Sequence, residues 1–119
     1  MIAAIVPAIV AIITAIATAL GIPWWVAASL VAIGVIAIVS LAIILFNKLL
    51  EIIRNAWKKY KDIKYSRIIR DNPIQDDEIV HIIHMSAEGE IISGTTVRGR
   101  QVDEKMKELQ KNTIVNKEE

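Results

Sequence analysis

The sequence predicts a mainly α-helical membrane protein: a two-span transmembrane helical hairpin, a long amphipathic extension of its second helix, and a small C-terminal ββα module. Three observations lead to this fold class. Residues 2–47 contain no Asp, Glu, Lys or Arg, a strongly basic segment follows them, and the chain beyond Pro73 alternates strand-like and turn-like stretches. The corresponding domains are residues 1–47, 48–72 and 73–119.

The charge-free stretch is long enough for two membrane helices. A bilayer core of about 30 Å needs roughly 20 apolar residues in a helix, and residues 2–20 and 24–46 each meet that requirement. Residues 21–23 form the turn, because glycine suits the position after a helix end and proline suits the first position of the next helix. A single bent helix within a larger assembly is the alternative topology.

Small residues recur at helical spacing along both predicted spans. Lipid provides no hydrophobic drive for two helices to meet, so close backbone approach along small residues usually replaces it. Alternatively, the pattern reflects only how common alanine is in such helices. The predicted helix-packing residues are Ala4, Ala8, Ala11, Ala15, Ala28, Ala32, Gly34 and Ala37.

The helical pattern continues beyond the second span as an amphipathic segment. Apolar residues recur at intervals of four and three from Leu49 to Ile63, and Pro73 disfavours a helical conformation at Asn72. We therefore predict a helix over residues 48–72, which either leaves the membrane without a break or bends near Asn47 to lie on its surface. The aromatic residues predicted at the membrane interface are Trp24, Trp25, Trp57 and Tyr60.

The basic segment sets the predicted orientation. Between Lys48 and Arg70 the chain has eight basic residues and two acidic ones. This excess places both termini on the cytoplasmic side of a membrane, or inside a lipid-bearing particle. The same side chains are either a solvated helix face or contacts for anionic lipid or enclosed nucleic acid. They are Lys48, Arg54, Lys58, Lys59, Lys61, Lys64, Arg67 and Arg70.

The C-terminal part has the pattern of a small water-exposed module. Residues 78–86 and 91–98 are rich in β-branched side chains and flank a turn, and residues 101–112 have helical spacing. Two strands and one helix bury little surface alone, so the module needs a partner surface. The acidic stretch from Asp71 to Glu90 is expected to lie against the basic helix.

No catalytic or metal-binding constellation is predicted. His81 and His84 are three residues apart, so on a strand they point to opposite faces and cannot converge on one ion. The chain lacks a nucleophile-elbow motif, a phosphate-binding loop and a dinucleotide glycine pattern. It has no cysteine, which excludes disulfides and thiol chemistry. We therefore expect no enzymatic activity and no cofactor.

The function expected from these features is that of a structural integral membrane protein. Small-residue helix faces and oppositely charged halves favour a homo-oligomeric, lipid-embedded assembly, such as a viral membrane or coat protein or a pilin-like subunit. A pore or holin, and an accessory subunit of a larger membrane complex, are the alternatives. Membrane lipid and further copies of the chain are the expected partners. The composition is also typical of proteins from hot environments.

Overall fold

In a computed structural model of the chain, five strands and four helices form one mixed α/β unit. The structure describes residues 2–74, 76–109 and 111–117, without the side chains of residues 2–8. Within these residues the elements are α1 (Ile2–Leu20), α2 (Trp24–Ala32), β1 (Ile36–Ile44), α3 (Phe46–Lys59), β2 (Tyr65–Ile74), β3 (Asp77–Met85), β4 (Ile91–Val102), α4 (Glu104–Glu108) and β5 (Asn112–Asn116).

The five strands form one sheet in the order β1-β4-β3-β2-β5. The β1–β4 pair is parallel and the other three pairs are antiparallel. The hairpin of β3 and β4 confirms the two strands predicted on either side of the turn at residues 86–90. All three of the predicted domains contribute strands to this sheet.

Helices cover both faces of the sheet. Ile82 and Ile83 are fully buried neighbours on β3, and because successive strand residues face opposite ways, each belongs to a different core. Ile82 lies in a cluster with residues of α3 and α4. Ile83 lies in a second cluster with residues of α1 and α2. The fold is therefore a central sheet between two helical layers.

The predicted transmembrane hairpin is wrong, because its second span is not one helix. Residues 24–46 form α2, a turn and β1. Gly34 has φ of 83°, which ends the helical segment, and the residues after it are mostly β-branched. Such side chains favour strands, and a strand paired in parallel commonly reads as an unbroken apolar run.

The predicted integral membrane location, with both termini on the cytoplasmic or interior side, is wrong for the same reason. Within the described residues, no single helix is both long and apolar enough to cross a membrane. Only the pair Ile9–Leu20 and Trp24–Ala32 meets the requirement together, and this pair is bent by 117° at its break. The predicted fold class fails with it.

The basic helix predicted over residues 48–72 is also shorter than expected. Helix α3 ends at Lys59, and β2 begins at Tyr65. Ile68 and Ile69 are both buried, on opposite faces of β2, so this strand lacks the apolar-polar alternation that distinguishes a strand from a helix in sequence. Pro73 lies in the irregular register between Asp71 and Ile74, beyond the part of β2 that pairs with β5.

The predicted C-terminal helix is reduced to a short one. Of residues 101–112, only Glu104–Glu108 are helical, and Asn112–Asn116 form the edge strand β5. The Asp103 carboxylate accepts a hydrogen bond from the backbone N–H of Met106, which satisfies a donor at the helix start. Its other oxygen accepts from the Phe46 N–H at 3.1 Å, so Asp103 joins the starts of two helices.

Strand β1 lies unusually close to β4 at Gly99. A Cβ atom at this position would be 2.8 Å from both Ile44 Cγ1 and the Leu41 carbonyl oxygen. Real Cβ atoms do not approach other atoms so closely, and here one of the neighbours is rigid backbone. Only glycine at position 99 therefore permits the observed β1–β4 contact.

We expect Gly99→Ala to destabilise the protein by about 1–3 kcal/mol, because the added methyl group must displace β1. Gln101→Ala is the matched control on the same strand, since Gln101 is exposed and its loss should change stability by less than about 0.5 kcal/mol. Urea denaturation measures both. Equal stability of the two variants would show that β1 does not lie against Gly99.

Candidate functional site

The predicted helix-packing residues whose side chains are described differ in burial. Ala4 and Ala8 are outside the described side chains, Ala11, Ala15 and Ala28 are half-buried, and Ala32, Gly34 and Ala37 are exposed. Gly34 and Ala37 also lie outside the helices. Helices α1 and α2 do pack together. Their buried residues are Ile12, Ile13, Ile16, Ala17 and Ala27.

The predicted interface aromatics lie in two separate places. Trp24 and Trp25 are exposed on α2, and the Trp24 indole N–H donates to the Thr14 hydroxyl of α1 at 3.0 Å. Trp57 and Tyr60 are half-buried at the end of α3, on the other side of the sheet. The four residues therefore do not form one belt.

The eight predicted basic contacts lie in different surroundings. Lys48 lies 3.6 Å from Glu51, and Arg70 lies 3.9 Å from Glu78. Lys59 lies 5.3 Å from the Tyr60 ring centre. Lys64 is exposed, and Arg67 lines an open cleft beside Tyr65. The remaining three, Arg54, Lys58 and Lys61, are exposed and line one groove.

The acidic stretch pairs mainly with β4. The Asp77 carboxylate accepts from Arg98 and lies 3.2 Å from Arg100 Nε. Only Glu78, through Arg70, meets the basic segment among the described ion pairs. The basic segment and Asp71–Glu90 therefore meet through this ion pair and through the pairing of β2 with β3.

His81 connects a carboxylate to a hydroxyl inside the sheet. Its Nε2 lies 3.1 Å from Asp71 Oδ2 on β2, and its Nδ1 lies 3.0 Å from Thr96 Oγ1 on β4. Burial lowers the pKa of His81, and the Asp71 hydrogen bond and charge offset part of that effect. Although the order of groups resembles a hydrolytic triad, Thr96 is fully buried and cannot reach a substrate.

His84 forms a second polar group on the opposite face. The Trp57 indole N–H donates to Ser66 Oγ at 2.9 Å, and Ser66 Oγ lies 2.7 Å from His84 Nδ1. The Ser66 hydroxyl accepts from Trp57 and can still donate its own proton. It can therefore donate to the unprotonated nitrogen of a neutral His84 imidazole. Burial lowers the pKa of His84 to about 4. This chain ties α3, β2 and β3 together.

The spacing argument for the two histidines is correct in part. They point to opposite faces, as strand alternation predicts, but neither face is exposed at these positions, since both histidines are buried. Their hydroxyl partners could not be identified from sequence, because the pairing register between strands is non-local. Among the described residues, no group of three or more His, Asp or Glu side chains converges to hold a metal ion.

The outer edge of β1 is the candidate functional surface. No strand within the described residues pairs with this edge, although β1 is nine residues long. It has neither charge nor proline, the usual features that keep natural edge strands from pairing with other chains. Large exposed apolar residues lie along α2, β1 and their flanks, namely Trp24, Trp25, Ile33, Ile43 and Leu45.

The pKa of His84 makes stability depend on pH. Above pH 6.5 His84 is neutral in both states; as the pH falls from 6.5 towards 4, only the unfolded chain takes up the proton. We expect the free energy of unfolding to fall by about 3 kcal/mol across this window from His84 alone.

Urea denaturation at several pH values, compared between the protein and His84→Gln, isolates this contribution from that of the carboxylates. The NMR titration of the His84 ring measures the same pKa directly. A midpoint near 6.5 would contradict the buried position.

Comparisons of the chain with known protein families, with characterised proteins and with solved structures find no match. The function is therefore argued from the geometry of this chain.

Proposed function

We propose that this protein is a non-enzymatic structural subunit that assembles with copies of itself, and that the free edge of β1 forms the contact. The observation that carries the proposal is the open, uncharged, nine-residue edge strand. An edge of this kind leaves a row of backbone donors and acceptors available to another strand. The lipid-embedded form of the assembly and the pore alternative both require membrane spans, so neither is retained.

The backbone groups available at this edge can be identified. The Val35 carbonyl accepts from the Gly94 N–H of β4 at 3.0 Å, so the polar groups of Val35 point inward. Successive residues of a strand point their carbonyls to opposite sides, and those of Ile36, Ile38 and Ser40 therefore face outward. A second strand can bond to this row without disturbing β4.

A second copy of β1 is the partner that fits best. Ser40 is the middle residue of β1, so an antiparallel pair about Ser40 sets the two copies of β1 opposite each other, although the Ile44 carbonyl already accepts from the Asp103 N–H. The other edge strand, β5, has only five residues and is flanked by Lys111 and Lys117, which disfavours a head-to-tail contact. An isologous dimer with a continuous ten-stranded sheet results.

The exposed apolar residues support the same assignment. Ile33 and Trp25 are 72% and 70% exposed, and Ile43 and Leu45 lie at the far end of β1. Apolar side chains on both sides of a free edge are typical of protein–protein contacts. An antiparallel partner would bring the Ile33 end of one copy to the Ile43 end of the other.

The chain has no cysteine, so a single introduced thiol tests the symmetry of the dimer. In Ser40→Cys, the two thiols should form an intermolecular disulfide under mild oxidation, because directly opposed residues have Cα atoms about 4.5–5.5 Å apart. Ser29→Cys is the matched control, since Ser29 is exposed on α2. Non-reducing electrophoresis measures the yield. Equal cross-linking of both variants would refute β1 pairing about Ser40.

A proline at the same position tests whether the edge drives assembly. Ser40→Pro removes one outward N–H and leaves the inward bonds to β4, so we expect a folded monomer. Ser40→Ala retains the N–H and should remain a dimer. Sedimentation velocity measures both, with circular dichroism as the check on folding. If the unmodified protein is a monomer at high concentration, the self-assembly proposal is wrong. A structural role would then require a different protein as the partner of β1.

A further inference from the structure

The end of α3 and the last residues of β5 enclose a groove lined by cations. One hollow of about 320 Å³ is lined by Arg54, Trp57, Lys58, Lys61 and Lys117. A second, of about 250 Å³, shares Arg54 and Trp57 with it. A third, of about 160 Å³, shares Lys61 and Lys117 and adds Lys64. We call this continuous feature the basic groove.

Three cations of the basic groove have no ion-pair partner within residues 2–74, 76–109 and 111–117. Among the described residues, no carboxylate forms an ion pair with Arg54, Lys58 or Lys61. The Lys117 ammonium group donates to the Lys61 carbonyl at 3.3 Å, which holds its charge in the groove. Asp62 is the single acidic residue among those that line it. The charged residues that line the basic groove are therefore mostly cations.

The basic groove also presents an oriented aromatic ring beside an apolar hollow. The Trp57 indole N–H donates inward to Ser66 Oγ, which fixes the orientation of the ring. The hollow on the other side of Arg54 is lined in part by Leu50, Ile53 and Val115. Cations for phosphates and an aromatic surface for stacking are the two components of single-strand recognition.

We propose that the basic groove binds single-stranded nucleic acid, with phosphates on the cations and a base stacked against Trp57. This site is independent of the β1 edge and goes beyond the proposed assembly role. An anionic membrane surface fits less well. A helix that inserts into lipid needs a free apolar face, and the apolar face of α3 is buried on the sheet through Leu49 and Ile53.

The salt dependence of binding gives a quantitative test. A fluorescein-labelled 15-residue oligothymidylate is titrated with the protein at several salt concentrations, and fluorescence anisotropy gives the affinity. Each contacting cation contributes about 0.7 to the slope of log affinity against log salt. Lys58→Ala/Lys61→Ala should therefore make the slope shallower by about 1.4 and weaken binding by about 25-fold at 0.1 M salt.

Lys48→Ala is the matched control for charge. Lys48 lies on the same helix, about 15 Å from Lys58, and is paired with Glu51, so its loss should leave both slope and affinity unchanged. Equal losses in Lys48→Ala and in the groove variant would mean that the binding is non-specific, and the proposal would fail.

The role of Trp57 has its own readout. In Trp24→Phe/Trp25→Phe, Trp57 is the one remaining indole, and oligothymidylate should quench its emission. Two results would overturn the proposal: binding without any change in this emission, or vesicles of phosphatidylglycerol that displace the oligonucleotide at equal phosphate concentration. The Ser40→Pro variant, which disrupts the β1 contact, should bind oligothymidylate as the unmodified protein does. Oligothymidylate binding therefore tests the basic groove separately from the proposed β1 dimer.

Discussion

The parallel pairing of β1 with β4 is the contact on which the rest of the structure depends. It joins the charge-free N-terminal part of the chain to the C-terminal sheet through eight residue pairs, from Ile36 with Gly94 to Ile44 with Val102. Ile36 then takes part in the core beneath α1 and α2, and Ile44 in the core beneath α3. One strand therefore contributes to both hydrophobic layers, and the absence of a side chain at Gly99 permits its position.

Sequence reasoning succeeded where the signals are local. The helix over residues 2–20, its restart at Trp24 and the β3–β4 hairpin all appear where glycine, proline and β-branched residues predict them. It failed for β1, whose apolar run shows no alternation, and for β2, where Ile68 and Ile69 are buried on opposite faces. As part of the apolar run 24–46, residues 36–44 fit a membrane helix just as well. Only their pairing with residues 94–102 distinguishes the two, and that pairing cannot be identified in one sequence.

The same limit applies to the functional surfaces. The opposed directions of His81 and His84 follow from their spacing, whereas Thr96 and Ser66 become their partners only through strand register. The concentration of positive charge was visible between Lys48 and Arg70, but its distribution was not. Because α3 ends at Lys59, Arg67 and Arg70 lie on β2, and Lys117, directly after β5, lines the groove in their place.

The register of β1 on β4 also bears on how the chain is made. Eight residues of β1 pair with partners 58 positions later in the chain, as with Ile36 and Gly94. At typical synthesis rates, about 3–12 s separate the emergence of these two segments from the ribosome. During that interval an uncharged strand and two apolar helices have no sheet to pack on. Contacts so distant in sequence also slow folding, which prolongs the exposure of these apolar segments.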